Sequence, residues 1–251
     1  MFNIKEENNL VGNLPPELKV FERIERIILF ANSIFGTIPE EISKLTNLLL
    51  FDVEQNLLTG QALPEFLLKL TSLEAYRVSS NFLGGSIPTG IGALSDLEQL
   101  WLGDCPLTGT IPSELASMAS LKYAFLYNSE SQGALMGPLP SELGRLANLL
   151  DFRVYGNQLR DSVPTELFEI TNLETLHLGH NFLSGNIPTE IGGLSNLSSL
   201  GLERNLFTGT IPTEIGFLVH LGTFCLEFTY PCFIAVASWV FFFSNRGFHH
   251  L

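Results

Sequence analysis

The 251-residue sequence predicts an α/β repeat fold: one elongated solenoid with a parallel β-sheet along its concave face and short helices, 3-10 turns and loops on the convex face. Three observations carry this expectation. An apolar residue followed by proline recurs at Pro15, Pro39, Pro64, Pro88, Pro112, Pro140, Pro164, Pro188 and Pro212, with spacings of 24, 25, 24, 24, 28, 24, 24 and 24 residues. In phase with it, seven or eight residues upstream, stand Asn8, Asn32, Asn56, Asn81, Asn157, Asn181 and Asn205, with Cys105 in that place once. Each asparagine closes the pattern apolar-x-x-apolar-x-apolar-x-x-Asn, as in Leu173, Leu176, Leu178 and Asn181, or Leu197, Leu200, Leu202 and Asn205.

Each element follows from what its positions must bury. The residues before the asparagine alternate in and out like a short strand. One unit cannot cover its own aliphatic face, so units stack and their strands form a parallel sheet. The asparagine is expected inside, at the corner after the strand, where a carboxamide offers donors and an acceptor to backbone groups that would otherwise be buried unpaired. Cysteine is a tolerated substitute there. Proline has a fixed φ and no N–H, which suits a bend outside the ladder or a first helical position. Two residues later Glu114, Glu142, Glu166, Glu190 and Glu214 fall near the start of a short helix or 3-10 turn, where an anion is favoured. Gly85, Gly109, Gly185 and Gly209 recur because the tight coil demands them, and they do not form a phosphate-binding loop.

The stretch Leu183-Ser-Gly-Asn-Ile-Pro-Thr-Glu-Ile-Gly-Gly-Leu-Ser-Asn-Leu-Ser-Ser-Leu-Gly-Leu-Glu-Arg-Asn205 resembles the plant-type leucine-rich repeat with its Leu-x-Gly-x-Ile-Pro signature. The resemblance covers residues 8 to about 226. It implies a right-handed solenoid and a non-catalytic scaffold that recognises a protein, peptide or glycan. The family includes extracellular parts of receptor-like kinases and receptor-like proteins, and secreted inhibitors of cell-wall-degrading enzymes. Three functions therefore stay open: a fragment of a receptor-like recognition protein, an intracellular or cell-wall scaffold, and an enzyme inhibitor. For a full-length form the resemblance implies the cell surface or the extracellular space. Fold similarity alone does not choose a ligand.

Composition narrows the partners. The formal net charge is −13, from 13 Lys and Arg against 26 Asp and Glu. Much of this is architecture, since Glu17, Glu41, Glu114, Glu142, Glu166, Glu190 and Glu214 share one place after the proline and form an outer acidic column. Scattered basic residues supply no footprint for nucleic acid. Three cysteines are too few for a disulfide-built fold. Cys105 reads as a buried filler, while Cys225 and Cys232 are placed to pair in a terminal cap. Asn196-Leu197-Ser198 is a glycosylation sequon, relevant if the chain enters the secretory pathway.

The solenoid is expected over residues 1–229 and a non-repeat apolar tail over 230–251. The N-terminus begins inside a unit and carries three charges where an export signal needs an apolar stretch, so a truncated unit is expected there. Near the other end Leu221, Phe224 and Leu226 start a tenth strand, and Thr229 takes the asparagine place. Phe233 to Phe243 is a run of 11 apolar or small residues, whereas a bilayer-spanning helix needs about 20. Extending it backwards takes in Glu227 and Pro231. Residues 224–243 thus leave three readings open: a membrane segment, a cap over the last unit, or a read-through tail.

Candidate ligand-binding residues come from the strand positions free of packing duty. End units show no theme: Arg26, Ile28 and Phe30, then Leu50, Asp52 and Glu54, and later Ser199, Gly201 and Glu203. The middle units do. Trp101 is followed by Tyr123, Phe125 and Tyr127, then Arg153 and Tyr155, with Arg77 and His177 flanking in the same column. With strands about 4.8 Å apart these side chains should form one aromatic patch edged by arginines, suited to an extended peptide or glycan, with an arginine available for a carboxylate or sulfate. Beside it, Asn128 to Gly133 carries four extra residues. No cofactor, metal or catalytic constellation is expected. The polar residues repeat with the scaffold instead of converging, and His177 and His180 belong to strand and turn respectively.

Overall fold

A computed structural model describes residues 8–130 and 133–226 of the chain. Each unit makes one coil of strand, corner, second strand and 3-10 turn. The expected inner sheet has nine parallel strands: Arg26–Ile28, Leu50–Asp52, Ala75–Arg77, Gln99–Trp101, Tyr123–Phe125, Asp151–Arg153, Thr175–His177, Ser199–Gly201 and Thr223–Cys225. The last is the strand expected from Leu221, Phe224 and Leu226. It is the ninth of its sheet because the partial first unit contributes only a second-sheet strand among the described residues.

That second sheet is the main feature the sequence reading lacked. The Leu-x-Gly segments pair in parallel to form nine further strands, from Val11–Asn13 to Leu206–Thr208, and their order also runs without a crossover. The glycine in each sits at positive φ, 89° at Gly85 and 80° at Gly209, where a side chain is strained. Asp161 takes that place once, at φ 69°.

The asparagine corner works as expected. In Asn56 the carboxamide nitrogen donates to Leu29 O at 2.8 Å and Val53 O at 3.1 Å, and its oxygen accepts Ile34 N–H at 2.9 Å. Each side chain thereby ties its own unit to the one before. Asn81, Asn181 and Asn205 repeat the set. Cys105 manages one bond, Sγ to Val78 O at 3.4 Å. Burial pushes its thiol up to about 12, so it is inert at neutral pH.

The prolines are N-caps, in extended conformation just before the 3-10 turns, with the next turn N–H bonded to the proline carbonyl, as in Ile191 N to Pro188 O at 3.2 Å. The glutamates of the acidic column fall in the first turn, exposed or half-exposed. Inside the coil, Leu100, Leu102, Leu126, Phe152, Leu176 and Leu178 belong to one continuous buried cluster running through every unit. Each such side chain contributes roughly 2 kcal/mol only while its neighbours cover it.

Cys232 and residues 230–251 lie outside the described residues, as does most of the 224–243 run. Among the described residues no helix is long and apolar enough to cross a membrane.

Candidate functional site

Alternation along the inner strands turns two residues of each strand, and a third just beyond it, away from the core. The register aligns Asp52, Arg77, Trp101, Phe125, Arg153, His177 and Gly201 in one column. Two residues further on, where backbone pairing continues through Asp104 N to Tyr127 O and Asn128 N to Tyr155 O, a second column holds Glu54, Ser79, Gly103, Tyr127, Tyr155, Gly179 and Glu203. All eight expected residues, Arg77, Trp101, Tyr123, Phe125, Tyr127, Arg153, Tyr155 and His177, are half-buried on this face.

They form two adjoining ladders. In the first, Arg77 lies 4.4 Å over the Trp101 ring, Trp101 stacks on Phe125 at 5.1 Å, and Arg153 lies 4.9 Å over Phe125. In the second, Tyr127 stacks on Tyr155 at 4.8 Å with the planes 6° apart, and Tyr155 meets His177 at 6.3 Å. Phe125 joins the ladders through Tyr127 at 6.3 Å, and Tyr123 packs edge-on to Phe125 at 6.4 Å. The stacking distances match the strand spacing, so the sheet itself sets them. Ring faces are therefore largely turned to one another. Gly103 makes room for this: a Cβ there would lie 2.5 Å from Tyr127 Cζ.

The arginines differ from expectation. Each already pairs with a carboxylate on the same face. Arg77 donates through Nε and Nη2 to Gln99 Oε1 at 2.9 and 2.5 Å, and through Nη1 to Asp52 Oδ2 at 3.2 Å. Arg153 grips Asp151 with Nε and Nη2 at 2.8 and 2.7 Å. A guanidinium between two ring-lined strands is partly desolvated, and a carboxylate on the same sheet face is the nearest compensation. The Asp151 bonds raise the Arg153 pKa further. Asp52, Gln99 and Asp151 are thus working members of the face that the residue pattern did not single out. Asp151 was legible, two residues from Arg153 on the same strand, whereas Asp52 and Gln99 meet Arg77 only through the register of neighbouring strands, Gln99 lying opposite Ala75.

Carboxylates also bound the second column. Burial lifts Glu54 to about 7, against a lowering bond from Ser79. Burial raises Tyr127 to about 12 and raises Tyr155 too, so both phenols stay protonated donors. Burial, helped by Arg153, lowers His177, whose Nε2 lies 2.8 Å from Ser199 Oγ. Among the described residues no group of three His, Cys, Asp or Glu is placed to hold a metal. The sequon residue Asn196 is exposed, and its amide nitrogen donates to Thr171 O at 3.0 Å, one of a second series of unit-to-unit bonds with Asn148 and Asn172. In the inserted segment, Ser129 donates from N and Oγ to Asp104 Oδ1, each at 2.7 Å, which tethers it beside the tyrosines.

A family model of the leucine-rich repeat region matches residues 26–203. The chain belongs to the leucine-rich repeat family. Among curated relatives of this leucine-rich repeat chain, Receptor-like protein 18 of Arabidopsis thaliana is 35% identical over 95 residues, 38% of this chain and 11% of that protein. Among solved structures, the Arabidopsis receptor kinase HAESA, in complex with the peptide hormone IDA and the co-receptor SERK1, superposes with a TM-score of 0.82 at 32% identity, covering 88% of this chain and 36% of that one. The ectodomain of GASSHO1/SCHENGEN3 from Arabidopsis thaliana, in complex with CASPARIAN STRIP INTEGRITY FACTOR 2, gives 0.76 at 32%, covering 88% and 29%. A plant ice-binding protein also gives 0.76, at 28% identity, covering 88% and 70%. The leucine-rich repeat chain thus spans about a third of the receptor chains it resembles and a ninth of the curated relative. Neighbours with such different ligands mean that the ligand must be argued from the site.

Proposed function

We propose that this chain is a non-catalytic recognition scaffold whose inner face binds an extended polypeptide segment across the strands from Ala75–Arg77 to Thr175–His177. The observation that carries the reading is the pair of ladders: stacked rings and guanidinium groups occupy five adjacent strands and are not continued in the end units. Half-buried Trp, Tyr and Arg clusters are the side chains that dominate binding energy at protein interfaces. Peptide is favoured over glycan because the ring faces on which a sugar would stack already cover one another. Five strands span about 19 Å, the length of roughly six extended residues. The similarity to HAESA, solved with the peptide hormone IDA, supports the same reading.

The test is selection of a displayed random peptide library on the full chain, followed by affinity measurement of a recovered peptide. Trp101→Ala and Tyr127→Ala should each weaken it by about tenfold or more with little change in thermal midpoint. Unchanged affinity in both variants contradicts the assignment.

A further inference from the structure

The inner face solves one electrostatic problem twice. Asp52, Arg77 and the Trp101 ring form a carboxylate, guanidinium and ring set, and Asp151, Arg153 and the Phe125 ring form another. At the C-terminal edge of the patch a third carboxylate meets rings, and among the described residues no guanidinium of the chain bonds that carboxylate, Arg153 being turned to Asp151. Glu203 follows Tyr155 and Gly179 in the second column. Its carboxylate leans back over Gly179, where a Cβ would collide with it. Oε2 lies 3.1 Å from the point a Gly201 Cβ would occupy, and the His177 ring lies 3.3 Å from the same point through Cδ2. Two glycines therefore open the floor on which Glu203 rests between His177 and Tyr155.

Among the described residues, Glu203 Oε2 is fully buried and accepts no hydrogen bond. A desolvated carboxylate oxygen costs free energy until a donor reaches it. The polar groups nearby are committed elsewhere. Arg153 is bound side-on by Asp151 through Nε and Nη2, and His177 Nε2 pairs with Ser199 Oγ. The imidazole, kept neutral by its burial, supplies no countercharge.

We propose that Glu203, with the Tyr155 and His177 rings, forms a pocket for one guanidinium or ammonium group, so that the ligand of the inner face presents an arginine or lysine at this edge. A guanidinium fits best. It is flat enough to lie against a ring, as Arg77 lies against Trp101, and its fork reaches a carboxylate while it does so. The chain's own Arg77 at the other edge shows the arrangement a ligand arginine would reproduce here. The proposal rests on the inner face being the ligand surface, and it gives that surface a polarity: a basic residue at the Glu203 edge.

The experiment is an NMR titration of the full chain with Nα-acetyl-arginine amide, and in parallel with Nα-acetyl-citrulline amide, a neutral isostere. The arginine probe should shift Tyr155, His177, Gly179 and Gly201, and the citrulline probe should not at equal concentration. Glu203→Gln should weaken the arginine response about tenfold or more, the worth of one charge-assisted hydrogen bond. Gly179→Ala keeps the charge but displaces the carboxylate, and should weaken it likewise while both variants melt near the wild type. Equal responses to the two probes, no response at these four residues, or responses unchanged in both variants overturn the proposal. A library-selected peptide separates the two claims. If it depends on Trp101 and Tyr127 but ignores Glu203→Gln, the recognition surface stands and the pocket falls. If the arginine probe behaves as expected while Trp101→Ala and Tyr127→Ala leave the peptide untouched, the pocket stands and the peptide surface falls.

Discussion

Tyr76 stands in register between Phe51 and Leu100 of the neighbouring units, fully buried against Phe51 at 5.7 Å, and its hydroxyl donates to Ala62 O at 2.6 Å. The reason lies one unit back. The 25-residue spacing between Pro39 and Pro64 adds a residue around Ala62, and the phenol satisfies the carbonyl there. Tyr76→Phe keeps the packing and removes the donor, so denaturant unfolding should show a loss of about 1–3 kcal/mol. A second residue carries a pH signature. Glu54 binds its proton more tightly folded, at about 7, than at the ordinary 4.5, because burial disfavours the carboxylate. Its contribution is therefore present below pH 4.5 and is lost as pH rises from 4.5 to about 7. Thermal melts of Glu54→Gln against wild type should show the variant gaining relative stability between pH 5 and pH 8, and a gap that does not change with pH would refute the burial argument.

At the scale of elements, the inner strands, the asparagine corners and the 3-10 turns were legible because each position has one duty and the duty repeats. The outer sheet was not. Its strands, such as Leu107–Gly109, are 3–5 residues long and rich in glycine, so they read as turn rather than as alternating strand. The site residues were legible for the same reason as the inner strands, since aromatics at one column offset break an otherwise aliphatic or polar series. The partners of Arg77 were hidden. Asp52 is 25 residues from Arg77 and Gln99 is 22, and only the register of the folded sheet joins them. An element-scale prediction follows from the outer sheet. Asp161 occupies the left-handed glycine place of its strand at φ 69°, and Asp161→Gly should stabilise the chain by about 0.5–1 kcal/mol in denaturant melts, since the glycine relieves that strain. Loss of stability would mean that the aspartate side chain does more there than the backbone requires.

For the whole molecule, the solenoid converts a sequence period into a ruler. Side chains 24 or so residues apart become neighbours at strand spacing, so the middle units can carry a continuous surface while every unit shares the same core. The insertion at Asn128 to Gly133 and the substitution of Cys105 flank the strand Tyr123–Phe125, so the least regular units carry the most specialised face. The central claim is that this face, and not another, receives the ligand. The most direct measurement is an alanine scan of the aligned column Ile28, Asp52, Arg77, Trp101, Phe125, Arg153 and His177, reading the affinity of one library-selected peptide at each position. The account predicts losses that peak at Trp101 and Phe125, at about tenfold or more, and fade to nothing at Ile28. A flat profile, or a peak outside Arg77 to His177, would contradict it.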